Sequence, residues 1–421
     1  MDKIVIKGGK KLKGVVAVSG SKNATLPVIA AAILGSSPST IKNIPLVRDI
    51  RTMAKLIGLL GAKSEIKEHT LTIDPAGIKN YEAPYELVKT MRASIYVLGP
   101  LLTKYGYAKV SLPGGCAIGA RPINLHLMGM KKMGAKIEIA HGFVKATAKK
   151  LKGARIVFDK VSVGATINVM LAAVLADGET RLENVAKEPD VVGAVEFLKL
   201  MGAQITGEGT DVITIKGVKK LHGVKDFSVM PDRIEAATLI SAAVMTKGAV
   251  KITHLIPAQL ALFLEKIKEA GVKIKTDKNS VTVFPYKGKL KATDIITAPY
   301  PGFPTDVQAQ WMALMTLAKG EAVIKEEIWE NRFMHVMELT RMGSDIRVDG
   351  NMAIIKGVNK LSAANVMASD LRAGAALIIA ALAADGVSEV HRIYHIERGY
   401  EGLDKKLKSI GANIYIEKDG N

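Results

Sequence analysis

The hydrophobic pattern divides the helices of this chain into two kinds. Segments such as Asn23–Leu34 and Ala373–Ala384 carry no charge on any face, which predicts helices that are buried on all sides. Each is followed by a short strand and then by an amphipathic helix, which ends in a glycine and leads into a strand pair. Glycine is the residue expected just after a helix, where the backbone turns left-handed.

This order of elements recurs at intervals of about 70 residues, which indicates duplicated supersecondary units. Six glycines mark the ends of the amphipathic helices: Gly61, Gly134, Gly202, Gly271, Gly343 and Gly411. The pattern predicts an α/β fold built from six βαβαββ units, with the apolar helices inside and the sheets packed around them.

The two ends of the chain are predicted to share one unit. The sixth unit stops at IYIEKDGN without a closing strand, and Asp2–Gly14 resembles the missing piece. With three units in each domain, residues 1–20 and 231–421 would form one domain and residues 21–230 the other. The chain would cross twice between them, which predicts a hinge beside a cleft.

Charged residues are expected at the starts of the buried helices. Burying a charge there is costly unless the charge is paired or binds something, and a cation also opposes the positive end of the helix dipole. A polyanionic ligand between the two domains would offset these charges. The same ligand would also neutralise cations near the starts of the second helices, and the full set is Lys22, Arg92, Arg121, Arg332, Arg372 and Arg398. Arg48, Arg121 and Arg398 hold equivalent places, predicted at the start of the second helix of their units. The alternative is that several pair with Asp232, Asp370 or Glu397.

Two further residues are candidates for chemistry. Cys116, the only cysteine, lies in the glycine-rich stretch LPGGCAIGAR, ahead of Arg121 and Pro122. A thiol, an arginine and a helix start so close together could bind an anion and act on it, although a lone cysteine is more commonly a small buried apolar residue. Asp306 follows a Pro-Gly-Phe-Pro turn and is either a helix cap or, facing a basic cleft, a general base.

Composition narrows the classes of function. The net charge is +19, but the lysines are scattered and aromatic residues make up only 5% of the chain, so anionic small ligands are favoured over nucleic acid. No wholly apolar run reaches the ~18 residues of a membrane span, and the N-terminus lacks a signal-peptide core. We therefore expect a soluble cytoplasmic protein. The histidines show no metal-site spacing, a phosphate-binding P-loop motif is absent, and no cofactor is expected.

Several motifs resemble the enolpyruvyl transferase family. They span essentially the whole chain: GSKNATLP at 20–27, MRASIYVLGPLL at 91–102, LPGGCAIGARPINLHL at 112–127, DKVSVGATIN at 159–168, YPGFPTDVQAQ at 300–310, WENRFMHV at 329–336, DLRAG at 370–374 and HIERGYE at 395–401. The cysteine loop resembles the branch of the family that acts on UDP-N-acetylglucosamine. The resemblance implies two inside-out α/β barrel domains that close over the substrates.

The resemblance also implies a reaction and its residues. The sugar 3′-hydroxyl would add to C2 of phosphoenolpyruvate, and phosphate would then leave. Cys116 would protonate C3 and be the residue that fosfomycin alkylates, and Asp306 would handle the hydroxyl proton. Phosphoenolpyruvate would contact Lys22, Asn23, Arg121, Arg332, Arg372 and Arg398. The nucleotide sugar would contact Asn23, Arg92, Arg121, Pro122, Ile123, Asn124, Leu125, Lys160, Val161, Ser162, Val163, Gly164, Asp306 and Ile328.

Two positions depart from the family pattern. Asn124 stands where the family usually has aspartate, so we expect an altered contact near the nucleotide. Ser21 stands where alanine is commoner, and this change is expected to be harmless. Two other functions remain as alternatives: the shikimate-pathway enolpyruvyl transferase, and a UDP-sugar-binding paralogue without catalytic activity.

Overall fold

The computed structural model describes residues 2–89, 91–112 and 123–418. Contacts divide them into two compact units. We call residues 20–89, 91–112 and 123–230 the inner unit, and residues 2–19 with 231–418, which include both ends of the described chain, the terminal unit. Each unit contains three four-stranded sheets.

The six sheets share one topology, which confirms the predicted repeat. In each, the first strand is parallel to the second, and the third is antiparallel to both the second and the fourth. In spatial order, the inner-unit sheets are Phe227–Ser228, Ser39–Lys42, Thr70–Asp74 and Lys63–Lys67; Glu82–Ala83, Tyr107–Ser111, Phe143–Thr147 and Lys136–Ala140; and Arg155–Val157, Glu179–Glu183, Val212–Lys216 and Gln204–Thr206.

The terminal unit repeats this arrangement three times. Its sheets are Lys13–Ala17, Ala249–Thr253, Ser280–Val283 and Ile274–Asp277; Ile295–Ile296, Glu321–Lys325, Met352–Lys356 and Asp345–Asp349; and Asn365–Met367, Val387–His391, Lys3–Lys7 and Asn413–Glu417. In the part of the chain that the structure describes, the sheets are separate and do not join into one closed barrel.

The helices alternate between buried and amphipathic ones, as predicted. They are α1 Lys22–Ala32, α2 Arg48–Leu60, α3 Tyr85–Val88, α4 Leu98–Tyr105, α5 Asn124–Lys132, α6 Val163–Ala173, α7 Pro189–Leu200, α8 Arg233–Met245, α9 Ala261–Glu269, α10 Gln308–Met315, α11 Val336–Arg341, α12 Leu371–Ala383 and α13 Leu403–Ser409. Short 3₁₀ helices occupy Pro75–Gly77, Arg92–Val97, Pro257–Leu260, Thr305–Val307 and Ile393–Arg398. None of the described helices is long and apolar enough to cross a membrane.

The core of each unit is made by its apolar helices. In the terminal unit α8, α10 and α12 pack on one another, and each also packs on strands of its own sheet. In the inner unit α6 packs against α4 and α5, and α1 packs against α2 and α7. All six repeat glycines have positive φ, from 86° at Gly343 to 108° at Gly61, which confirms the predicted left-handed helix ends.

The first strands connect two sheets of the terminal unit. Lys3–Lys7 pairs with Val387–His391 and Asn413–Glu417, so this segment completes the last unit as predicted. Lys13–Ala17 instead pairs with Ala249–Thr253 in another sheet. The prediction that all of Asp2–Gly14 completes the last unit was therefore wrong for its final residues, because the chain leaves that sheet after Lys7.

Candidate functional site

Asp306 lies between two buried arginines of the terminal unit. Its Oδ1 accepts a hydrogen bond from Arg332 Nη2 at 3.0 Å, and its Oδ2 accepts one from Arg372 Nη2 at 3.1 Å. The two arginine side chains are only 3% and 4% exposed, whereas that of Asp306 is 29% exposed. Asp306 lies inside the 3₁₀ helix that precedes α10, and the cap positions are Pro304 and Val307. The alternative that Asp306 caps its helix was therefore wrong.

Arg372 is held at the start of α12. Asp370 is the cap of this helix and accepts hydrogen bonds from the backbone N–H groups of Arg372 and Ala373. The Arg372 guanidinium lies 5.2 Å from the centre of the Tyr400 ring. Burial opposes the charge, but Tyr400, Asp306 and Asp232 together raise the pKa of Arg372 above its ordinary value. Within the described ranges its buried Nη1 has no hydrogen-bond partner, so this charged group has one unsatisfied donor atom inside the unit.

Arg332 and Arg398 lie outside the α-helices of the same unit. Arg332 precedes His335, which is 1% exposed. Burial, opposed by the charge of Asp370, lowers the pKa of His335 to about 4, so the imidazole is neutral near pH 7. Arg398 is half-buried at the end of a 3₁₀ helix, and α13 begins only at Leu403. The prediction that Arg398 starts the second helix of its unit was therefore wrong.

Lys22 is the first residue of α1 in the inner unit. It is buried, and its Nζ lies 3.2 Å from Oδ2 of Asp49, which is 3% exposed. Ser21 caps the helix by accepting a hydrogen bond from Ala24 N, and its hydroxyl donates to the buried carboxylate of Asp190 at 2.9 Å. The positive charge at this helix start is therefore stabilised inside the unit itself.

Three segments expected to bind the nucleotide meet around α6. Arg92 starts a 3₁₀ helix, Asn124 starts α5 just after Ile123, and Ser162 caps α6. Lys160 and Asn124 are exposed, while Arg92, Leu125, Val161, Ser162, Val163 and Gly164 are half-buried. The ring of His126 faces Gly164 so closely that a Cβ at Gly164 would lie 3.2 Å from its Cε1 and Nε2.

Ile328 is positioned by a buried carboxylate of the terminal unit. Glu326 is 3% exposed and accepts hydrogen bonds from the backbone N–H groups of Ile328 and Trp329 and from the hydroxyls of Thr297 and Thr305. Thr305 directly precedes Asp306. Glu326 therefore joins the segment that contains Ile328 to the segment that contains Asp306 by hydrogen bonds.

Sequence reasoning missed most of the groups that hold these side chains in place. It did not find Asp49, His126 or Glu326, since none lies in a recognisable spacing with its partner. Cys116, Arg121 and Pro122 lie outside the described residues. Among the described residues, no group of three or more His, Cys, Asp or Glu side chains could hold a metal ion.

The comparisons with known proteins agree over the whole chain. Residues 6–407 match the family model described as EPSP synthase (3-phosphoshikimate 1-carboxyvinyltransferase). The chain belongs to this family. Within the EPSP synthase family, it is 56% identical over 416 residues to a relative from Geotalea uraniireducens, covering 98% of this chain and 99% of that one. It is 55% identical over 421 residues to a relative from Geobacter metallireducens, covering 100% of both. Both are named UDP-N-acetylglucosamine 1-carboxyvinyltransferase.

Solved structures of the EPSP synthase family share the architecture. The enolpyruvyl transferase NikO from Streptomyces tendae matches with a TM-score of 0.90 and 28% identity, over 99% of this chain and 98% of that one. An EPSP synthase from Acinetobacter baumannii matches with a TM-score of 0.75 and 19% identity, over 99% of this chain and 100% of that one. The second likeness shows the fold alone.

Proposed function

We propose that this chain transfers the enolpyruvyl group of phosphoenolpyruvate to the 3′-hydroxyl of UDP-N-acetylglucosamine and releases phosphate. The observation that carries the proposal is full-length identity of 51–56% to relatives named for this activity. In the reaction, the sugar oxygen bonds to C2 while C3 gains a proton. The C2–O bond to phosphate then breaks, and loss of a C3 proton restores the double bond. The product serves peptidoglycan precursor synthesis.

The terminal unit contributes Asp306 and three arginines to this chemistry. Asp306 accepts the proton of the sugar hydroxyl, and its contacts with Arg332 and Arg372 keep the carboxylate oriented. Arg332, Arg372 and Arg398 bind phosphoenolpyruvate through their positive charges. Preorganised donors of this kind stabilise charge that develops on a leaving phosphate.

The inner unit binds the nucleotide sugar and contributes Lys22. Lys22 and Arg121 contact phosphoenolpyruvate, and Asn23 lies beside Lys22 at the start of α1 and contacts both substrates. Arg92, Arg121–Leu125 and Lys160–Gly164 bind the nucleotide sugar, with Asp306 and Ile328 of the terminal unit. Asn124 contributes a neutral amide at a place where the family usually has a carboxylate, so it changes a nucleotide contact without adding charge.

Cys116 acts as the proton donor to C3 and as the thiol that fosfomycin alkylates. The support for this role is the resemblance of its glycine-rich loop to the corresponding family motif. A carboxylic acid can also donate a proton but is not alkylated in the same way. Cys116→Asp is therefore expected to retain activity and lose sensitivity to fosfomycin, and Cys116→Ala to lose activity.

Phosphate release from phosphoenolpyruvate tests the proposal. Purified protein is supplied with UDP-N-acetylglucosamine or with shikimate-3-phosphate, and we expect release only with the first. Release only with the second would identify the shikimate-pathway activity instead. Binding of UDP-N-acetylglucosamine without any release would identify a UDP-sugar-binding protein without catalysis, and either result would overturn the proposal.

A further inference from the structure

Asn168 is a fully buried polar residue in the apolar helix α6. Its Oδ1 accepts a hydrogen bond from Gly99 N at 2.9 Å, and its Nδ2 donates to the carbonyl of Ile95 at 2.8 Å and lies 3.1 Å from His126 Nδ1. One side chain therefore connects three elements. They are the 3₁₀ helix that begins at Arg92, the first turn of α4, and α5.

The backbones around Asn168 approach one another closely enough to need glycine. A Cβ at Gly99 would lie 2.4 Å from the backbone carbonyl oxygen of Asn168. A Cβ at Gly129 would lie 2.5 Å from a methyl group of Val169. Real Cβ atoms do not approach heavy atoms so closely, so α4 and α5 are both fixed against α6 at this level. The hydrogen bonds of Asn168 therefore belong to a rigid junction.

The hydrogen bonds fix the protonation of His126. The Ile95 carbonyl can only accept and the Gly99 N–H can only donate, so the amide of Asn168 has one possible orientation. Its second N–H then points at His126 Nδ1, which must be unprotonated to accept it. The ring proton of neutral His126 is consequently on Nε2, on the edge that faces Gly164. Burial and the charge of Arg92 lower the pKa of His126 to about 3, which agrees with a neutral ring.

We propose that Asn168 is a positioning residue for the nucleotide sugar, which aligns the segments of Arg92, Ile123–Leu125 and Lys160–Gly164 and holds His126 with its proton on Nε2. This inference rests on the proposed function, because these segments are the ones to which that function assigns the nucleotide. Asn168 is buried in the junction and acts through its neighbours. Its loss should therefore affect the binding of one substrate and leave the reacting groups in place.

Asn168→Asp is the sharpest test because it keeps the shape and the acceptor for Gly99 but removes both donated hydrogen bonds. We expect the KM for UDP-N-acetylglucosamine to rise about tenfold, which corresponds to the loss of about one hydrogen bond to a buried group. The KM for phosphoenolpyruvate and kcat should change less than about threefold. An unchanged KM for the nucleotide sugar, or a loss confined to kcat, would overturn the inference.

Nitrogen-15 NMR of the histidine rings gives a readout that general loosening of the fold would not produce. In the wild type we expect the His126 signals of a ring protonated only at Nε2, with no titration between about pH 5 and 8. In Asn168→Asp, the carboxylate should draw a proton to Nδ1 and move the titration of His126 to higher pH. A wild-type ring protonated at Nδ1 would contradict the inference, whatever the activity.

Thr166→Val is the matched control on the same helix. Thr166 is fully buried, and its hydroxyl accepts a hydrogen bond from Ala186 N at 3.1 Å, away from the junction. We expect it to lower stability without changing the KM for the nucleotide sugar, and an equal rise in KM would count against a specific role for Asn168.

A second pair of variants covers the case in which Asn168→Asp does not fold. His126→Asn places an acceptor where Nδ1 was, whereas His126→Gln places its amide where Nε2 was. We expect the nucleotide-sugar KM of His126→Asn to be nearer the wild-type value, and the opposite order would overturn the inference. If the wild type releases no phosphate with UDP-N-acetylglucosamine, the proposed function fails, while the NMR result still decides the state of His126.

Discussion

The two units hold their buried polar groups in different ways. In the terminal unit, two buried guanidinium groups share the carboxylate of Asp306. In the inner unit, Lys22 pairs with Asp49, and the junction at Asn168 and His126 is held by hydrogen bonds between neutral groups. The first arrangement concentrates charge around one partly exposed carboxylate, and the second fixes backbone segments in place. The difference shows that buried charge is paired in both units, whereas the neutral junction is a feature of α6 and its neighbours in the inner unit.

Asp306→Asn removes the carboxylate that the two buried arginines of the terminal unit share. It should lower kcat more than any other change proposed below affects its own measurement. The amide cannot accept the hydroxyl proton, and it leaves Arg332 and Arg372 without a carboxylate between them. We expect kcat to fall about 1,000-fold, which is within the usual range for loss of a general base. Steady-state phosphate release measures the fall.

Asp385→Asn is the control for that variant. Asp385 belongs to the same unit and pairs with Lys360 on the surface, where both side chains are more than 70% exposed. Its replacement should leave kcat unchanged. A kcat for Asp306→Asn within tenfold of the wild-type value would show that Asp306 is not the base.

Asp49→Asn tests the inner unit by leaving the Lys22 ammonium buried beside a neutral amide. Removing one partner of a buried ion pair costs about 3 kcal/mol or more, so the free energy of unfolding in urea should fall by about that amount. Asp226→Asn is the matched change at the exposed pair with Lys42 and should cost less than about 1 kcal/mol. Equal losses in the two variants would show that burial does not strengthen the Lys22–Asp49 pair.

The repeat and the buried charges could be predicted from sequence, because both are local patterns. A glycine after each amphipathic helix and charges such as Arg372 at the start of an apolar helix are visible without tertiary structure. The partners could not be predicted. Asp49 in the first turn of α2 resembles an ordinary helix-stabilising acidic residue, and only the packing of α1 on α2 brings it to Lys22.

Other errors arose where tertiary structure determines a local conformation. Asp306 has the sequence context of a helix cap, but a 3₁₀ helix begins at Thr305, and the arginines bind the carboxylate. Asn168 ends the motif at 159–168, but that motif does not show its role, because its three partners come from separate segments of the chain. The family resemblance supplied the predicted substrate contacts, whereas the groups that pair with those residues became visible only in three dimensions.

Two buried histidines, one in each unit, predict a common response to acid. The pKa of His335 is about 4 and that of His126 about 3 in the folded protein, against 6.5 ordinarily. Between each folded pKa and 6.5 the unfolded chain binds more protons than the folded protein. The contribution of these histidines to the free energy of unfolding is therefore complete above about pH 6.5 and falls as the pH is lowered. His335→Gln or His126→Gln should reduce the slope of unfolding free energy against pH by about 1.4 kcal/mol per pH unit between about pH 4.5 and 6. An unchanged slope in either variant would show that the pKa of the histidine it replaces is not lowered by folding.

Ser21→Ala makes the smallest change and tests whether the cap beside Lys22 does more than begin a helix. Loss of a serine cap costs about 1 kcal/mol, and Ser21 also donates to the buried carboxylate of Asp190. Ser162 caps α6 in the same unit by accepting from Ala165 N, and among the residues that the structure describes no hydrogen bond joins it to a buried carboxylate. Urea unfolding should therefore show a larger loss for Ser21→Ala than for Ser162→Ala. Equal losses would mean that the hydrogen bond from Ser21 to Asp190 adds nothing to the stability that the cap provides.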